Sequence, residues 1–472
     1  MSTIWPPDMS QASGAKYSYL LDALRRAVEG DVLSEGEKLP PVRELAWTLK
    51  ITPGTVARAY REAVEQGLLE AAVGRGTFVA PRAVLSAPVE VRAISEANDE
   101  VVSEVISDIV DLKGSRVPDT GQGARIATLL ADLGKTMSPD RMINYSLRKD
   151  SKNLRHLVTE WVGEDHVGRM DDEDVILSHG AQNGTLLALQ TLLEGERPVI
   201  LAEPLAYTGV RHVARLLRAE LHGVEMDAEG IVPAALEMAC KRTGARVLLT
   251  SAEVHSPTTI RTSHQRKQEI VDVARRYQLH IIEDDCHRIQ SHEIPAYRAL
   301  YPKRSWYVSS LSKTVSAALR FGYVICPYGF SAKALQVAQG SFYALPGPML
   351  ALVEAVFTSG TAERSRAAVA RLTEERVQHA VNMLGRWDIS WAPGAPFIWL
   401  RLPPGWRNSR FALACEAGGV RIRTADEFTL PNGHAPHAVR LAVNPGIPAA
   451  DFQEAMRMID SLLANPPRGM DS

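Results

Sequence analysis

Residues 306–325 read WYVSSLSKTVSAALRFGYVI, two short apolar runs with a lysine between them. The runs 306–308 and 323–325 are rich in aromatic and β-branched residues, which favours buried strands. Lys313 is flanked by hydroxyl side chains, and Arg320 follows seven residues later. A lysine in this setting can act as a Schiff-base amine beside an arginine that anchors a phosphate. The stretch therefore predicts chemistry at the end of a sheet.

Four similar apolar runs precede this stretch, at residues 175–177, 199–201, 247–249 and 280–282, with helical segments between them. Continuous apolar strands that alternate with helices predict an α/β fold, with a mainly parallel sheet covered by helices on both faces. Ligands of such sheets bind beyond the carboxyl ends of the strands. The residues just after each run are therefore the candidates for function.

Those residues include groups that could bind a phosphate and an aromatic ring. Ala181 and Gln182 open a helix after a turn of small residues, and the free N–H groups of a helix start suit a phosphate. Tyr207 offers an aromatic face, and Asp284 offers a carboxylate that could hold a protonated ring nitrogen. Taken singly, each has an ordinary explanation: Tyr207 as packing, Asp284 as a helix cap and Arg320 as half of a surface ion pair.

Together, these residues resemble the fold-type I pyridoxal-phosphate enzymes, the aspartate aminotransferase family, which predicts a domain over residues 108–468. The resemblance implies pyridoxal 5'-phosphate as cofactor, with Lys313 forming the internal aldimine, Asp284 pairing with the pyridine nitrogen and Tyr207 stacking on the ring. It assigns the phosphate to Ser310, Arg320 and the backbone of Ala181 and Gln182. Arg440 is similar to the family's arginine that binds a substrate carboxylate in two parallel hydrogen bonds. The alternative for Arg440 is a surface arginine at a strand edge.

Two positions depart from that family. The family commonly has an asparagine where this chain has Ser256 and a tyrosine where it has Cys286, and both usual residues hydrogen-bond the phenolic oxygen of the cofactor. Here a shorter hydroxyl and a weak thiol donor take their places. The departures imply that cofactor binding survives while efficient transamination is weakened.

The first 80 residues have a different pattern. Apolar residues at three- and four-residue spacing predict three helices, with Thr52 as the N-cap of the third, and a glycine-bounded turn predicts a short hairpin or wing. Between Lys38 and Arg61 five basic residues face Glu44 alone, which supplies the charge that DNA binding requires. The alternative is a three-helix bundle with solvated charges.

Residues 16–80 closely resemble the winged-helix domain of GntR-family bacterial regulators. We therefore predict a winged helix-turn-helix DNA-binding domain over residues 12–80 and a linker over residues 81–107. The resemblance implies DNA contacts by Arg43, by the third helix and by the wing near Gly76. The candidate DNA-binding residues are Arg43, Thr52, Thr55, Arg58, Arg75 and Gly76.

A GntR-type winged helix followed by an aminotransferase-like domain resembles the MocR/GabR regulators. The resemblance implies a homodimeric, head-to-tail transcription regulator that binds operator DNA and senses an amine or amino-acid effector through an external aldimine. The alternative is an active aminotransferase with an accessory N-terminal domain. A third possibility is a regulator that has lost its cofactor.

Composition argues against several other classes of protein. The chain has 472 residues, a formal net charge of -2 and four widely separated cysteines. We expect no metal site, because no His or Cys cluster has ligand spacing. We also expect no signal peptide and no membrane span, and the sparse cysteines suit a cytoplasmic protein.

Overall fold

The computed structural model describes residues 5–7, 9, 16–30, 32–34, 36–65, 68–72, 76–79, 109–290, 294–431 and 433–467. The chain divides into two compact units, Met1–Ile106 and Ser107–Ser472. The predicted linker, residues 81–107, lies outside the described residues. Among the described residues, no helix is long and apolar enough to cross a bilayer, and no three His, Cys, Asp or Glu side chains gather as metal ligands would.

The N-terminal unit has the predicted helices and hairpin. They are α1 (Lys16–Glu29), α2 (Val42–Thr48), α3 (Pro53–Glu65), β1 (Leu69–Ala72) and β2 (Gly76–Val79). The hydroxyl of Thr52 accepts a hydrogen bond from the N–H of Thr55 at 3.3 Å, which confirms the predicted N-cap. The apolar faces of the three helices, with residues such as Leu24, Leu45 and Val56, meet in one buried core.

The large unit alternates helices and strands, as the sequence predicts. Its strands are β3 (Val110–Asp111), β4 (Val175–Ser178), β5 (Val199–Ala202), β6 (Glu220–Gly223), β7 (Met226–Asp227), β8 (Gly230–Ile231), β9 (Val247–Thr250), β10 (His280–Asp284), β11 (Ser305–Ser310), β12 (Gly322–Ile325), β13 (Ile389–Ser390), β14 (Phe397–Arg401), β15 (Val420–Arg421), β16 (Arg423–Thr424) and β17 (Ala438–Ala442). Its helices are α4 (Gln122–Thr136), α5 (Pro139–Ile143), α6 (Lys152–Val162), α7 (Glu164–Val167), α8 (Ala181–Leu192), α9 (Thr208–Leu216), α10 (Pro233–Thr243), α11 (His264–Tyr277), α12 (Tyr297–Leu300), α13 (Ser331–Phe342), α14 (Gly347–Thr358), α15 (Thr361–Leu384), α16 (Asn408–Ala417) and α17 (Ala449–Ala464).

Within the described part of this unit, seven strands form the main sheet in the order β4–β12–β11–β10–β9–β5–β6. All neighbours are parallel except at β12, which runs antiparallel to β4 and β11. Both faces are covered: Leu249, Ile282 and Trp306 pack in one buried cluster, whereas Leu248 and Ile281 pack in another. The mainly parallel sheet predicted from the apolar runs is confirmed.

A second, antiparallel sheet lies toward the end of the chain, in the order β13–β14–β17–β16. Among its strands, the sequence predicts only the run around Arg440. Helices α15, α16 and α17 cover this sheet through a buried cluster that includes Leu384, Phe411 and Ile459. Because β17 is an inner strand, Arg440 lies between Trp399 on β14 and Arg423 on β16.

Candidate functional site

The register of the main sheet gathers the predicted site residues at one edge. Ser178, the last residue of β4, lies opposite Gly322, the first residue of β12, and Gly322 lies opposite Ser310, the last residue of β11. Because β12 runs against its neighbours, its start reaches the edge where theirs end. Asp284 ends β10 at the same edge, paired with Val308 of β11.

The start of α8 forms a turn suited to an anion. Gly180 precedes this helix with φ +83°, a conformation that favours glycine. A Cβ on Gly322 would lie 2.5 Å from the carbonyl carbon of Gly180 and 2.9 Å from the nitrogen of Ala181. Only glycine at 322 therefore lets the helix start approach β12 this closely. The N–H groups of the first turn, which includes Ala181 and Gln182, are not used by the helix itself and can bind an anion.

Arg320 and Ser310 lie beside this turn. The Nη2 of Arg320, an exposed side chain, donates to the carbonyl oxygen of His179 at 3.1 Å. Ser310 is buried, and its hydroxyl accepts from the N–H of Ser312 at 3.4 Å. The structure thus brings together the residues that the sequence assigns to one phosphate.

Lys313 follows β11 in a turn and is half-buried. Its Nζ donates a hydrogen bond to the carbonyl oxygen of Ser115 at 2.7 Å. Ser115 is buried, and its own hydroxyl donates to the carbonyl oxygen of Pro396. A primary amine is therefore held in place near the end of β11 by a segment at the start of the large unit.

Asp284 and Cys286 lie where β10 ends. The pKa of Asp284 is raised to about 7, mainly by burial. The N–H of Cys286, which donates to Oδ1 at 3.1 Å, opposes the rise, and the nearby Asp285 and Glu203 contribute to it. Burial also raises the pKa of the Cys286 thiol to about 11. The Sγ of Cys286 lies 3.3 Å from the hydroxyl of Ser310. A cation beside Asp284 would lower the pKa of its carboxyl again.

Tyr207 lies between β5 and α9. A Cβ at Gly209 would overlap the ring of Tyr207, so glycine there leaves room for the ring over the start of the helix. The ring is 6.1 Å from that of His287, edge to face. Tyr207 thus lies within an aromatic cluster near the end of β5.

Arg440 is buried, with 3% of its surface exposed, so it is not a surface arginine. Its Nη1 donates to the hydroxyl of Ser256 at 3.1 Å, and its Nη2 donates to the carbonyl oxygen of Lys113 at 2.6 Å. The guanidinium lies 5.0 Å from the ring of Phe397 and 4.8 Å from that of Phe428. Both departures from the aminotransferase pattern are therefore engaged within the protein, Ser256 with Arg440 and Cys286 with Ser310.

Sequence reasoning missed the segment at residues 113–116 and the asparagine that holds it. The amide of Asn444 donates to the carbonyl oxygens of Asp111 at 3.0 Å and Gly114 at 2.8 Å, and it accepts from the N–H of Arg116 at 2.7 Å. The carbonyl groups of this segment also receive the hydrogen bonds from Lys313 and Arg440. A Gly-Ser pair at residues 114–115, soon after the short strand β3, was the available signal.

The candidate DNA-binding residues differ in how far they are engaged. Arg43 on α2 is exposed and has no hydrogen bond or ion pair with the described residues. Arg58 donates to Glu62 at 3.0 Å and stacks 3.7 Å above the ring of Tyr17. The hydroxyls of Thr52 and Thr55 are 2.9 Å apart and share a hydrogen bond.

The predicted wing is described only in part. Gly76 has φ +117°, and a Cβ there would lie 2.9 Å from the Cε of Lys38. Glycine therefore fits this position for two reasons, conformation and space. Arg75, predicted at the tip of the turn, lies outside the described residues.

Family comparisons agree with the division of the chain into a small N-terminal unit and a large unit. Residues 16–79 match the family described as bacterial regulatory proteins, gntR family, and residues 121–459 match aminotransferase class I and II. The uncharacterized HTH-type transcriptional regulator YdeF of Bacillus subtilis is 24% identical over 97% of this chain and 96% of its own. The vitamin B6 salvage pathway transcriptional repressor PtsJ of Salmonella typhimurium is 24% identical over 91% of this chain and 95% of its own.

Solved structures share the fold of the large unit. A kynurenine aminotransferase of Pyrococcus horikoshii has a TM-score of 0.69 and 18% identity, covering 83% of this chain and 98% of that one. The α-aminoadipate aminotransferase LysN of Thermus thermophilus has a TM-score of 0.67 and 22% identity, covering 80% of this chain and 100% of that one.

Fold and site define a two-domain protein in which a winged helix-turn-helix is joined to an aminotransferase-like unit. The aminotransferase match covers more than half of the chain. The chain belongs to the aminotransferase class I and II family, and its N-terminal GntR domain gives it the MocR/GabR-type arrangement.

Proposed function

We propose that this chain is a DNA-binding transcription regulator whose large unit binds pyridoxal phosphate on Lys313 and senses an amine or amino-acid effector. The observation that carries the proposal is the convergence of an anion-ready helix start, a primary amine and a buried carboxyl at one sheet edge, in a chain that also has a GntR domain. Similar proteins named as transcriptional regulators, such as PtsJ, support it.

The residues present fit pyridoxal phosphate. The start of α8, Ser310 and Arg320 would hold the phosphate, and Tyr207 would pack against the ring. Asp284 would pair with the ring nitrogen. A protonated nitrogen beside this buried carboxyl would favour its ionised form and so lower the pKa that burial raises. When bound, the cofactor supplies an aldehyde that reacts with primary amines and a ring that withdraws electrons.

Arg440 would bind an acid group of the effector. Its guanidinium is already oriented by Ser256, by the carbonyl of Lys113 and by two aromatic rings. A planar guanidinium binds a carboxylate through two parallel hydrogen bonds, and aromatic walls exclude competing water. The effector class is therefore an amine that carries an acid group.

The N-terminal unit would read operator DNA. Arg43, which is exposed and open, is the strongest candidate for a phosphate contact. Thr52, Thr55, Arg75 and Gly76 complete the proposed surface, and Arg58, which is paired with Glu62 and stacked on Tyr17, contributes less to it. An effector changes DNA affinity only if it binds two arrangements of the protein with different affinity.

A homodimer, arranged head to tail, completes the proposal. An exposed apolar patch on the large unit supports it: Ile143 is 80% exposed and Tyr145 is 75% exposed, and the ring of Tyr145 lies 4.5 Å from that of the exposed Tyr343. Met142 and Leu147, which lie close to these residues in the sequence, are also exposed. Contiguous exposed apolar surface of this kind marks a protein interface. We place the protein in the cytoplasm, where its DNA would be.

One experiment separates this function from an active aminotransferase. Purified protein is loaded with pyridoxal phosphate, and DNA binding and keto-acid formation are measured with and without amino acids. We expect an effector to change DNA affinity with little keto acid, and Lys313→Ala to lose both the visible absorbance and the response. Steady keto-acid production without any change in DNA affinity would favour the aminotransferase.

A further inference from the structure

His287 lies three residues after Asp284, in the loop that follows β10, and the sequence pattern gives it no role. It is half-buried in the loop after β10, and neither ring nitrogen has a hydrogen-bond partner among the described residues. These nitrogens do not belong to the buried polar atoms that lack a partner, so they are open to solvent and can bind a ligand.

The imidazole lies in a continuous row of rings. It is 6.1 Å from the ring of Tyr207 on one side and 5.5 Å from the ring of Phe397 on the other, both edge to face. The guanidinium of Arg440 lies over the same Phe397 ring at 5.0 Å. His287 is therefore positioned between the residue proposed to face the cofactor ring and the residue proposed to bind the effector's acid group.

The ring is neutral. Burial lowers the pKa of His287 well below its usual value, and the nearby charges of Lys313 and Arg440 and the ring of His255 lower it further. His255 is buried and engaged elsewhere, through Thr258 and the carbonyl of Leu205. A neutral imidazole offers one donor and one acceptor and adds no charge to a site that already holds two cations.

We propose that His287 contacts the bound effector and selects amino acids whose side chain carries a neutral hydrogen-bonding group. An apolar side chain would leave the imidazole unpaired, and a cationic one would meet Lys313 and Arg440. This inference rests on the proposed function, because it assigns a specificity residue to the same site.

The test uses the full-length protein loaded with pyridoxal phosphate, and three amino acids of similar length: L-glutamine, L-norleucine and L-lysine. Each is titrated while the visible absorbance of the bound cofactor is recorded. We expect L-glutamine to bind about two- to tenfold more tightly than L-norleucine, the effect of one hydrogen bond, and L-lysine to bind more weakly than L-glutamine.

His287→Phe keeps a ring and removes the hydrogen bonds, so L-glutamine should bind this variant no more tightly than L-norleucine does. His287→Asn should retain the preference. His212→Phe, at an exposed histidine of α9, is the control and should match the wild type.

Two results would overturn the assignment: a His287→Phe protein that still prefers L-glutamine, or one that alters only the pH titration of the cofactor absorbance in the absence of amino acid. Hydroxylamine, which reacts with accessible cofactor, separates this failure from a broader one. If hydroxylamine changes the wild-type absorbance and no amino acid does, the proposed amine sensing fails, and the role of His287 fails with it.

Discussion

The two ends of the candidate site are built in different ways. At the phosphate end, two glycines and the register of neighbouring strands bring a helix start against β12, so the backbone makes the site. At the Arg440 end, side chains from distant segments converge, as in the hydrogen bond from Arg440 to Ser256. The first end depends on close approach of main chains, and the second depends on the identity of individual side chains.

The largest effect is expected at the Arg440 end. Arg440→Gln should weaken the binding of an amine that carries an acid group by about thirtyfold or more, because losing one partner of a buried charged contact costs roughly 2–5 kcal/mol. Arg440→Lys should restore little, because an ammonium lacks the planar fork. Titration of the cofactor absorbance measures both.

Arg401→Gln, on the exposed end of β14, is the matched control and should leave amine affinity unchanged. An Arg440→Gln protein with wild-type amine affinity would place the acid group elsewhere.

One added methyl group should disrupt the phosphate end of the site. Gly322→Ala would force a Cβ against Gly180 and Ala181, and overpacking of this kind costs about 1–3 kcal/mol. We expect pyridoxal phosphate affinity to fall about five- to hundredfold, measured by fluorescence or absorbance titration. In Gly340→Ala, within α13, the added Cβ meets nothing within 4 Å, so this control should keep full affinity. Equal affinities in the two variants would contradict the close approach.

Asp284 provides a test by pH. Its pKa, about 7 when folded against an ordinary value of 3.8, means that the folded protein holds a proton that the unfolded chain releases between these values. The stabilising contribution is therefore full below about pH 4 and is lost as the pH rises through about 7.

Without cofactor, we expect the melting temperature of Asp284→Asn relative to wild type to increase over this range. Bound pyridoxal phosphate should reduce the difference, because the ring nitrogen compensates the carboxylate. A difference that does not vary with pH would mean that Asp284 titrates normally.

The smallest expected effect is on DNA binding, where Arg43, which has no partner among the described residues, differs from Arg58, which has two. Arg43→Ala should weaken DNA binding several-fold and reduce its salt dependence by about one unit of slope, as expected for one lost phosphate contact. Arg58→Ala should mainly destabilise the N-terminal unit, because this guanidinium already packs on Tyr17 and bonds Glu62. Anisotropy titrations at several salt concentrations and a melting curve measure the two outcomes. A larger salt effect for Arg58→Ala would reverse this assignment.

The sequence predicts the backbone-built end better than the side-chain-built end. The apolar runs predict the strands, and the spacing of Ser310, Lys313 and Arg320 predicts the chemistry at the end of β11. The segment at 113–116 and His287 are not predicted, because their roles depend on residues more than a hundred positions away, Asn444 and Phe397 respectively. Helical spacing likewise predicts the face on which Arg58 lies, but not that Tyr17 of another helix meets it.

The segment at residues 113–116 has a thermodynamic consequence. Its carbonyl oxygens at Lys113 and Ser115 accept hydrogen bonds from Arg440 and Lys313, and along the chain it comes after the predicted linker. A molecule that reacts with the amine of Lys313 withdraws the donor of Ser115 from this short piece of main chain, whereas Arg440 keeps its hydrogen bond to Lys113. Each acceptor left without a donor costs about 1–3 kcal/mol, and couplings between distant sites typically amount to about 1–3 kcal/mol. A change in the hydrogen bonds of this four-residue segment is therefore as large in free energy as such a coupling.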